Sequence, residues 1–280
     1  MRSRRWTAAL YAAVTFAAVI WLVPVVTALM ISLRPPQETR QGWWRLEPFT
    51  LTLQPYVEAL RDMPPGTVRS TFIITLGAVL ITVSAGVLAS YAIVRLRFRG
   101  RVLLYFLLVT TMIVPLQLIL IPLLPWTRLL GLLGGPWRPF VAIILAHAAF
   151  GAGWAVFMIA TFLRNIPEEI IEAAHVDGAS HWDTFRRIVL PLAIPGIASF
   201  AIIDFIFVWN DLLLALTLFG TRGEVAPPIQ VALSNLQSQN LPRQDVVSAA
   251  AMMAILPPLI LFALLNRYYV RGMFAGGAKG

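Results

Sequence analysis

Two carboxylates, Asp204 and Asp211, are the only charges inside the apolar block 188–218. Asp204 lies far into it, where an ionised side chain costs a few kcal/mol or more unless it is paired or wet. Such a group suits a cavity wall that binds sugar hydroxyls or holds a gate. It also suits a hydrogen bond to a neighbouring helix or subunit, or a protonated acid. Trp209 and Asn210 follow one to two turns later. An aromatic ring and an amide can bind a sugar by stacking and hydroxyl hydrogen bonds, or can serve as an interfacial belt residue and a helix cap. The three histidines, His147, His175 and His181, have no metal-ligand spacing. His147 sits in an apolar block and suits a hydrogen bond between helices. There is no Cys, which excludes disulfides, thiol catalysis and thiolate metal sites. No G-x4-G-K-[ST] occurs, so the chain cannot hydrolyse ATP alone. Neither H-E-x-x-H nor G-x-S-x-G is present, and no enzyme active site, metal site or bound cofactor is expected.

The most informative segment is polar and runs from Arg164 to Arg187. Pro167 followed by Glu168 and Glu169 fits the first turn of a helix, where proline is pre-set and carboxylates face the positive end of the dipole. The helix should run about three turns. Asp177-Gly178 should end it, because Gly tolerates the left-handed conformation. Ser180-x-x-Asp183 can cap a second helix that leads through Arg186 and Arg187 into the block 188–218. The first helix mixes Ile, Ala and acid. Ala173 and Ala174 allow close approach of another backbone, and Glu172 offers a charge to a basic or amide partner. This predicts a docking element for a soluble protein. A helix resting on lipid headgroups would favour Lys and Arg instead.

These elements need a scaffold, and the composition says which kind. The 280 residues are 59% hydrophobic and only 12% charged, and the mean hydropathy is +0.78. Soluble domains carry about twice that charged fraction, so a lipid bilayer must supply part of the solvent. Charge-free runs at 6–33, 70–94, 102–127, 139–163 and 246–266 are long enough to cross it, and 188–218 makes a sixth. The first run is too long for a signal peptide and reads as a retained anchor. Of the 22 basic residues, 13 fall in 1–5, 95–101, 164–187 and 267–280. The positive-inside rule places these segments, and both termini, in the cytoplasm. The net charge of +9 therefore points to lipid headgroups rather than nucleic acid. Proline recurs inside the spans, at Pro24, Pro115, Pro122, Pro191, Pro195, Pro257 and Pro258, and suits a bundle of kinked helices.

Glu172-Ala173-Ala174, Gly178 and Ile188-x-Leu190-Pro191 reproduce the spacing E-A-A-x3-G-x9-I-x-L-P. In this the chain resembles the permeases of binding-protein-dependent ABC importers. The stretch Trp209-Asn210-Asp211 with Ala215-Leu216 is similar to the W-N-[DE]-x3-A-L of carbohydrate permeases, and the tail 271–280 resembles the maltose-type "G" subunit. That subfamily's usual Asn-Ser before the second span is Arg69-Ser70 here. The resemblance implies an all-α membrane protein, a six-transmembrane-helix type I ABC importer permease bundle. Residues 1–69 would form an anchor helix and extracytoplasmic loop. Residues 70–266 would form the permease core with its cytoplasmic coupling loop at 164–187, and 267–280 a cytoplasmic tail. It implies that Glu172, Ala173, Ala174, Gly178, Leu190 and Pro191 couple the chain to an ATPase, and that Gly276 and Lys279 lie in a tail that touches that ATPase. Asp204, Trp209 and Asn210 are the candidates for the substrate path.

The same resemblance implies the partners. They are a second, non-identical permease, a homodimeric ATP-binding subunit holding ATP and Mg, and an extracytoplasmic sugar-binding protein touched by the loop 220–245. The setting is the bacterial cytoplasmic (inner) membrane. The cargo would be a mono-, di- or oligosaccharide. Alternatives are the same kind of permease for another solute, such as glycerol phosphate, and a proton-coupled secondary transporter using Asp204 and His147.

Overall fold

The computed structural model describes residues 2–132, 134–219, 225–239 and 243–277, with side chains from 6 to 266 among them except that of Gln239. Among the described residues the regular structure is helical. The helices are α1 (Arg2–Ser32), α2 (Pro36–Thr39), α3 (Gln54–Asp62), α4 (Thr67–Arg95), α5 (Arg101–Thr110), α6 (Leu116–Leu129), α7 (Arg138–Arg164), α8 (Glu168–Val176), α9 (His181–Thr184), α10 (Leu190–Trp209), α11 (Leu213–Phe219), α12 (Ile229–Gln239) and α13 (Gln244–Gly277). They divide into two units. One is Met1–Pro65 with Ala232–Leu256, and the other is Gly66–Val231 with Pro257–Gly280.

In the first unit, α1 is apolar on all sides and exposed over most of its length. Such a helix needs an apolar solvent around it. Beyond α1 the chain turns around a buried cation. The Arg34 side chain is 1% exposed. It donates from Nη1 to the carbonyls of Trp43 and Arg45, from Nη2 to the carbonyl of Pro48, and from Nε and Nη2 to Glu38. Its guanidinium also lies 5.1 Å from the Phe49 ring centre. A buried charge is tolerated when every donor is used in this way. Arg34→Ala should leave three carbonyls without their donor, at roughly 1–3 kcal/mol for each that stays buried. Limited proteolysis should then cut first within 40–50, where the unaltered chain resists.

α3 packs through Ala59 and Met63 on Leu236, Val246, Ala249 and Ala250. Arg243 ties the two ends of this contact by pairing with Glu58 and Asp245.

The second unit is built on α4 and α7, which approach closely through small residues. A Cβ on Gly86 would stand 2.4 Å from the Cβ of Ala155, and one on Gly153 would stand 2.4 Å from the Leu108 carbonyl oxygen of α5. Small residues let membrane helices pack backbone to backbone. Gly86→Val should therefore force the pair apart, at about 1–3 kcal/mol for an overpacked contact. A lowered melting temperature in detergent would show it, and an unchanged one would mean that α4 and α7 have room to shift.

Among the described residues five helical segments are long and apolar enough to cross a bilayer, and α5 and α6 make a sixth if the bent pair is counted as one span. The run 102–127 is not the straight span that its charge-free length suggests. It turns by 100° between Ile113 and Leu116. A 3-10 turn over Thr111–Ile113 leads to Val114, whose ψ of 118° is extended. Pro115 explains this, because its ring bars the residue before it from helical geometry. The segment 220–245, expected as a loop, contains α12. Thr71 Oγ1 accepts the Ile229 N–H at 2.8 Å, and the Ser70 hydroxyl donates to the Ala226 carbonyl at 2.8 Å.

Candidate functional site

α7 ends at Arg164, and Pro167 stands at the N-cap of α8 with Glu168 and Glu169 in the first turn. Pro167 is thus one place earlier than the sequence suggested, and the carboxylates still meet the positive end of the dipole. At the other end Gly178 has φ +83°. The Ala179 N–H reaches the Ala174 carbonyl at 2.9 Å and the Gly178 N–H reaches that of His175 at 3.0 Å. This paired closure is the Schellman arrangement, and it needs a residue without a Cβ penalty. Space does not demand glycine at 178, since a Cβ there would meet nothing within 4 Å; the backbone angle does. Ser180 then caps α9, its hydroxyl oxygen accepting the Asp183 N–H at 3.1 Å.

The chain next winds as a π-helix over Phe185–Val189 before α10 begins. Pro191 supplies the reason. It has no N–H to give and its ring crowds the carbonyl four residues back, so the preceding turn widens.

One side of this helix–turn–helix is buried. Ile166, Ile171, Phe185 and Val189 pack with Tyr91, Val87, Ala155 and Ile159. The Tyr91 hydroxyl donates to the His181 carbonyl at 2.9 Å. Arg95 pins the joint from the end of α4. Its Nη2 donates to the carbonyls of Leu163 and Ile166 at 2.6 and 2.7 Å, and its Nη1 pairs with Glu168 at 3.2 Å. The other side is bare. Glu172 and Ala173 are exposed, as are Val176 at 87% and Trp182 at 61%. Ala174 is buried, so it supports the loop from below. The result is a rigid knob of acid and apolar groups held on a fixed base. Within it the Ser180 hydroxyl donates to the Asp183 carboxylate at 2.5 Å.

Asp204 lies elsewhere in the same unit. It is 5% exposed. Its carboxylate is within hydrogen-bonding reach of Thr82, while among the described residues Oδ2 has no hydrogen-bond partner. The residue lines a cavity of about 340 Å³ between the α5–α6 break, α7 and α10. Phe150, Trp154, Phe200 and Phe207 form much of the wall, and Phe150 and Phe207 are stacked with centres 5.6 Å apart. A pocket of this volume is in the range that takes small molecules. One carboxylate among aromatic faces can accept from hydroxyls, and it disfavours an anion.

A family model described as "Binding-protein-dependent transport system inner membrane component" matches residues 71–275. The chain belongs to this family. It is the permease of an ABC transporter. The osmoprotective compounds uptake permease protein GgtD of Synechocystis is 36% identical over 96% of this chain and 91% of its own. The trehalose transport system permease protein SugB of Mycobacterium tuberculosis is 33% identical over 92% and 93%. In fold, the permease is similar to a chain of a bacterial alginate ABC transporter solved in complex with an alginate pentasaccharide-bound periplasmic protein. The TM-score there is 0.68 at 19% identity, covering 94% of both chains.

The permease brings Glu172, Ala173, Ala174, Gly178, Leu190 and Pro191 into one helix–turn–helix. It separates Trp209 and Asn210 from the cavity that Asp204 lines. Trp209 is 1% exposed and stacks on Phe205 at 5.5 Å, with its edge to Phe72. Asn210 caps α10 and donates from Nδ2 to the Ile206 carbonyl at 2.8 Å. His147 Nε2 stands 3.4 Å from Asp211, whose carboxylate accepts the N–H groups of Leu214 and Ala215 and caps α11. The backbone of α13 includes Gly276; Lys279 lies outside the described residues. The sequence missed the aromatic wall around Asp204, since nothing local marks those rings, and Arg95 as the pin of α8.

Proposed function

We propose that this permease forms half of the translocation pathway for a sugar delivered by an extracytoplasmic solute-binding protein. In this reading it pairs with a second, non-identical permease and rests on a homodimeric ATP-binding subunit. ATP and Mg belong to that subunit, and this chain catalyses nothing. The observation that carries the reading is α8, an acid-and-apolar helix fixed at both ends and bare on one side. Two further facts support it. Relatives are named for trehalose and for alpha-glucoside transport, and the cavity at Asp204 has a hydroxyl acceptor and aromatic faces without a cation.

The motion follows from docking. ATP binding closes the ATPase dimer, and the packed and hydrogen-bonded base under α8 passes the movement into α10 and α7. The cavity opens outward to receive sugar, and hydrolysis resets it. The ATPase must bind the two states of the bundle unequally, because equal binding shifts no equilibrium. Gly276 and Lys279 would add a second contact to the ATPase from the tail. Both termini lie in the cytoplasm in this reading, with α8 on that side of the inner membrane.

The decisive assay is ATP hydrolysis by the reconstituted complex with its binding protein over a panel of sugars. One sugar should stimulate it, and a flat response to every sugar would overturn the sugar assignment. Sidedness has its own test. The chain has no Cys, so Val176→Cys provides a single thiol at an exposed position. An impermeant maleimide should label it in inside-out vesicles and leave right-side-out vesicles unlabelled. Labelling from the periplasmic side would invert the topology.

A further inference from the structure

A second cavity, of about 440 Å³, opens where the end of α4, the start of α5 and the end of α7 meet. Arg95, Arg101 and Arg164 line it against one acid, Glu168. Arg95 spends its two terminal nitrogens on Glu168 and on backbone carbonyls, while among the described residues its buried Nε has no hydrogen-bond partner. Among the described residues Arg101 makes one long bond, from Nη1 to the Leu96 carbonyl at 3.4 Å. Arg164 lies over the Tyr105 ring, 4.7 Å from its centre. A guanidinium has five N–H donors, so Arg101 and Arg164 keep most of theirs for something else. Glu168 cannot neutralise three cations, and it is 68% exposed.

The rest of the lining decides what that something is. Val102 and Phe106, each 60% exposed, continue the cavity wall along α5. A charged floor at the level of three helix ends therefore runs into an apolar strip along a membrane helix. That layout matches a phospholipid, with its phosphate on the arginines and an acyl chain along α5. A free phosphate would use only the floor. Basic pockets between membrane helices at headgroup depth are the recognised form of such sites, and Arg suits phosphate because its fork binds two oxygens at once. We propose that this cavity binds one anionic phospholipid, its phosphate held by Arg101 and Arg164 beside Arg95. The site is remote from the Asp204 cavity in chemistry and makes no use of a transported solute. Because Arg95 also holds the first turn of α8, an occupied site adds an anion beside the joint that carries the docking knob.

Native mass spectrometry of the purified complex tests this. The complex should retain phosphatidylglycerol on this chain. Arg101→Gln combined with Arg164→Gln should lower retention by about tenfold or more, the equivalent of about 1.4 kcal/mol. The double Lys replacement should restore part of it, since charge survives while the fork is lost. Equal retention in the Gln variant, or equal retention of phosphatidylcholine, would overturn the site. Should the Gln variant fail to fold, the unaltered complex answers in nanodiscs. Hydrogen exchange at 96–104 should slow when phosphatidylglycerol is added to phosphatidylcholine. If it does not slow, or if inorganic phosphate alone gives the same protection, the lipid assignment fails. None of these results depends on which solute is carried, so they leave the sugar reading to its own assay.

Discussion

Glu172→Lys should abolish uptake while the subunit stays inserted and helical. Glu172 lies in α8 on the bare side, and among the described residues its carboxylate has no hydrogen-bond or ion-pair partner. Its removal therefore takes nothing from this chain's fold. Lys and Glu have nearly the same helix propensity, so α8 survives the change. The cost falls on the docked complex. Reversing a charge that a basic or amide partner holds leaves like charges in contact, and losing one member of a close interfacial pair costs about 2–5 kcal/mol. That is a loss of roughly 30- to several-thousand-fold in the docking equilibrium. Uptake of labelled sugar should fall to background, while immunoblots of the membrane fraction match the unaltered protein. Glu172→Gln should retain part of the activity, because an amide can still bond a donor. Normal uptake in the Lys variant would remove α8 from the coupling route.

The contrast between Glu172 and its own helix explains what the sequence made legible. Caps and helix ends depend on neighbours a few residues away. Gly178, Ser180 and Asp183 therefore announced the turn that φ +83° and the Ser180–Asp183 bond display. The apolar runs announced the spans for the same reason, since length and hydropathy are local sums. Pro115 announced a break but not its angle. A proline forbids helical geometry to its predecessor, and the packing of both flanking helices then sets the turn at 100°. The chemistry that needs distant residues was invisible. Arg95 read as a topology charge, and it bonds two carbonyls some seventy positions away. Trp209 read as a belt residue more readily than as a sugar platform. Its burial on Phe205 and Phe72 follows from which face α10 turns inward, and a helix apolar on nearly every side does not declare that.

Asp204→Asn should lower uptake by about five- to thirty-fold and leave assembly intact. The carboxylate is buried, has one oxygen without a partner, and borders a cavity whose other lining is largely apolar or aromatic. Asn has the same shape and keeps one acceptor, so contact with Thr82 survives and α10 need not move. What disappears is the charge. A hydrogen bond from a neutral hydroxyl to a charged acceptor contributes about 1.5–3 kcal/mol, against about 0.5–1.5 for a neutral pair. The difference of roughly 1–2 kcal/mol amounts to about five- to thirty-fold. A larger change points the other way. Asp204→Leu fills the space beside Gly151, where a Cβ on that glycine would already stand 2.8 Å from the Thr82 methyl group, and it should harm assembly as well as uptake. The pair of variants thus separates two roles of one residue. If Asn left uptake unchanged and Leu alone reduced the yield of complex, Asp204 would be a packing and hydrogen-bonding residue with no part in the path. If Asn cut uptake while the second permease and the ATPase still co-purified in full amount, the carboxylate would be acting on what crosses the membrane or on the gate before it.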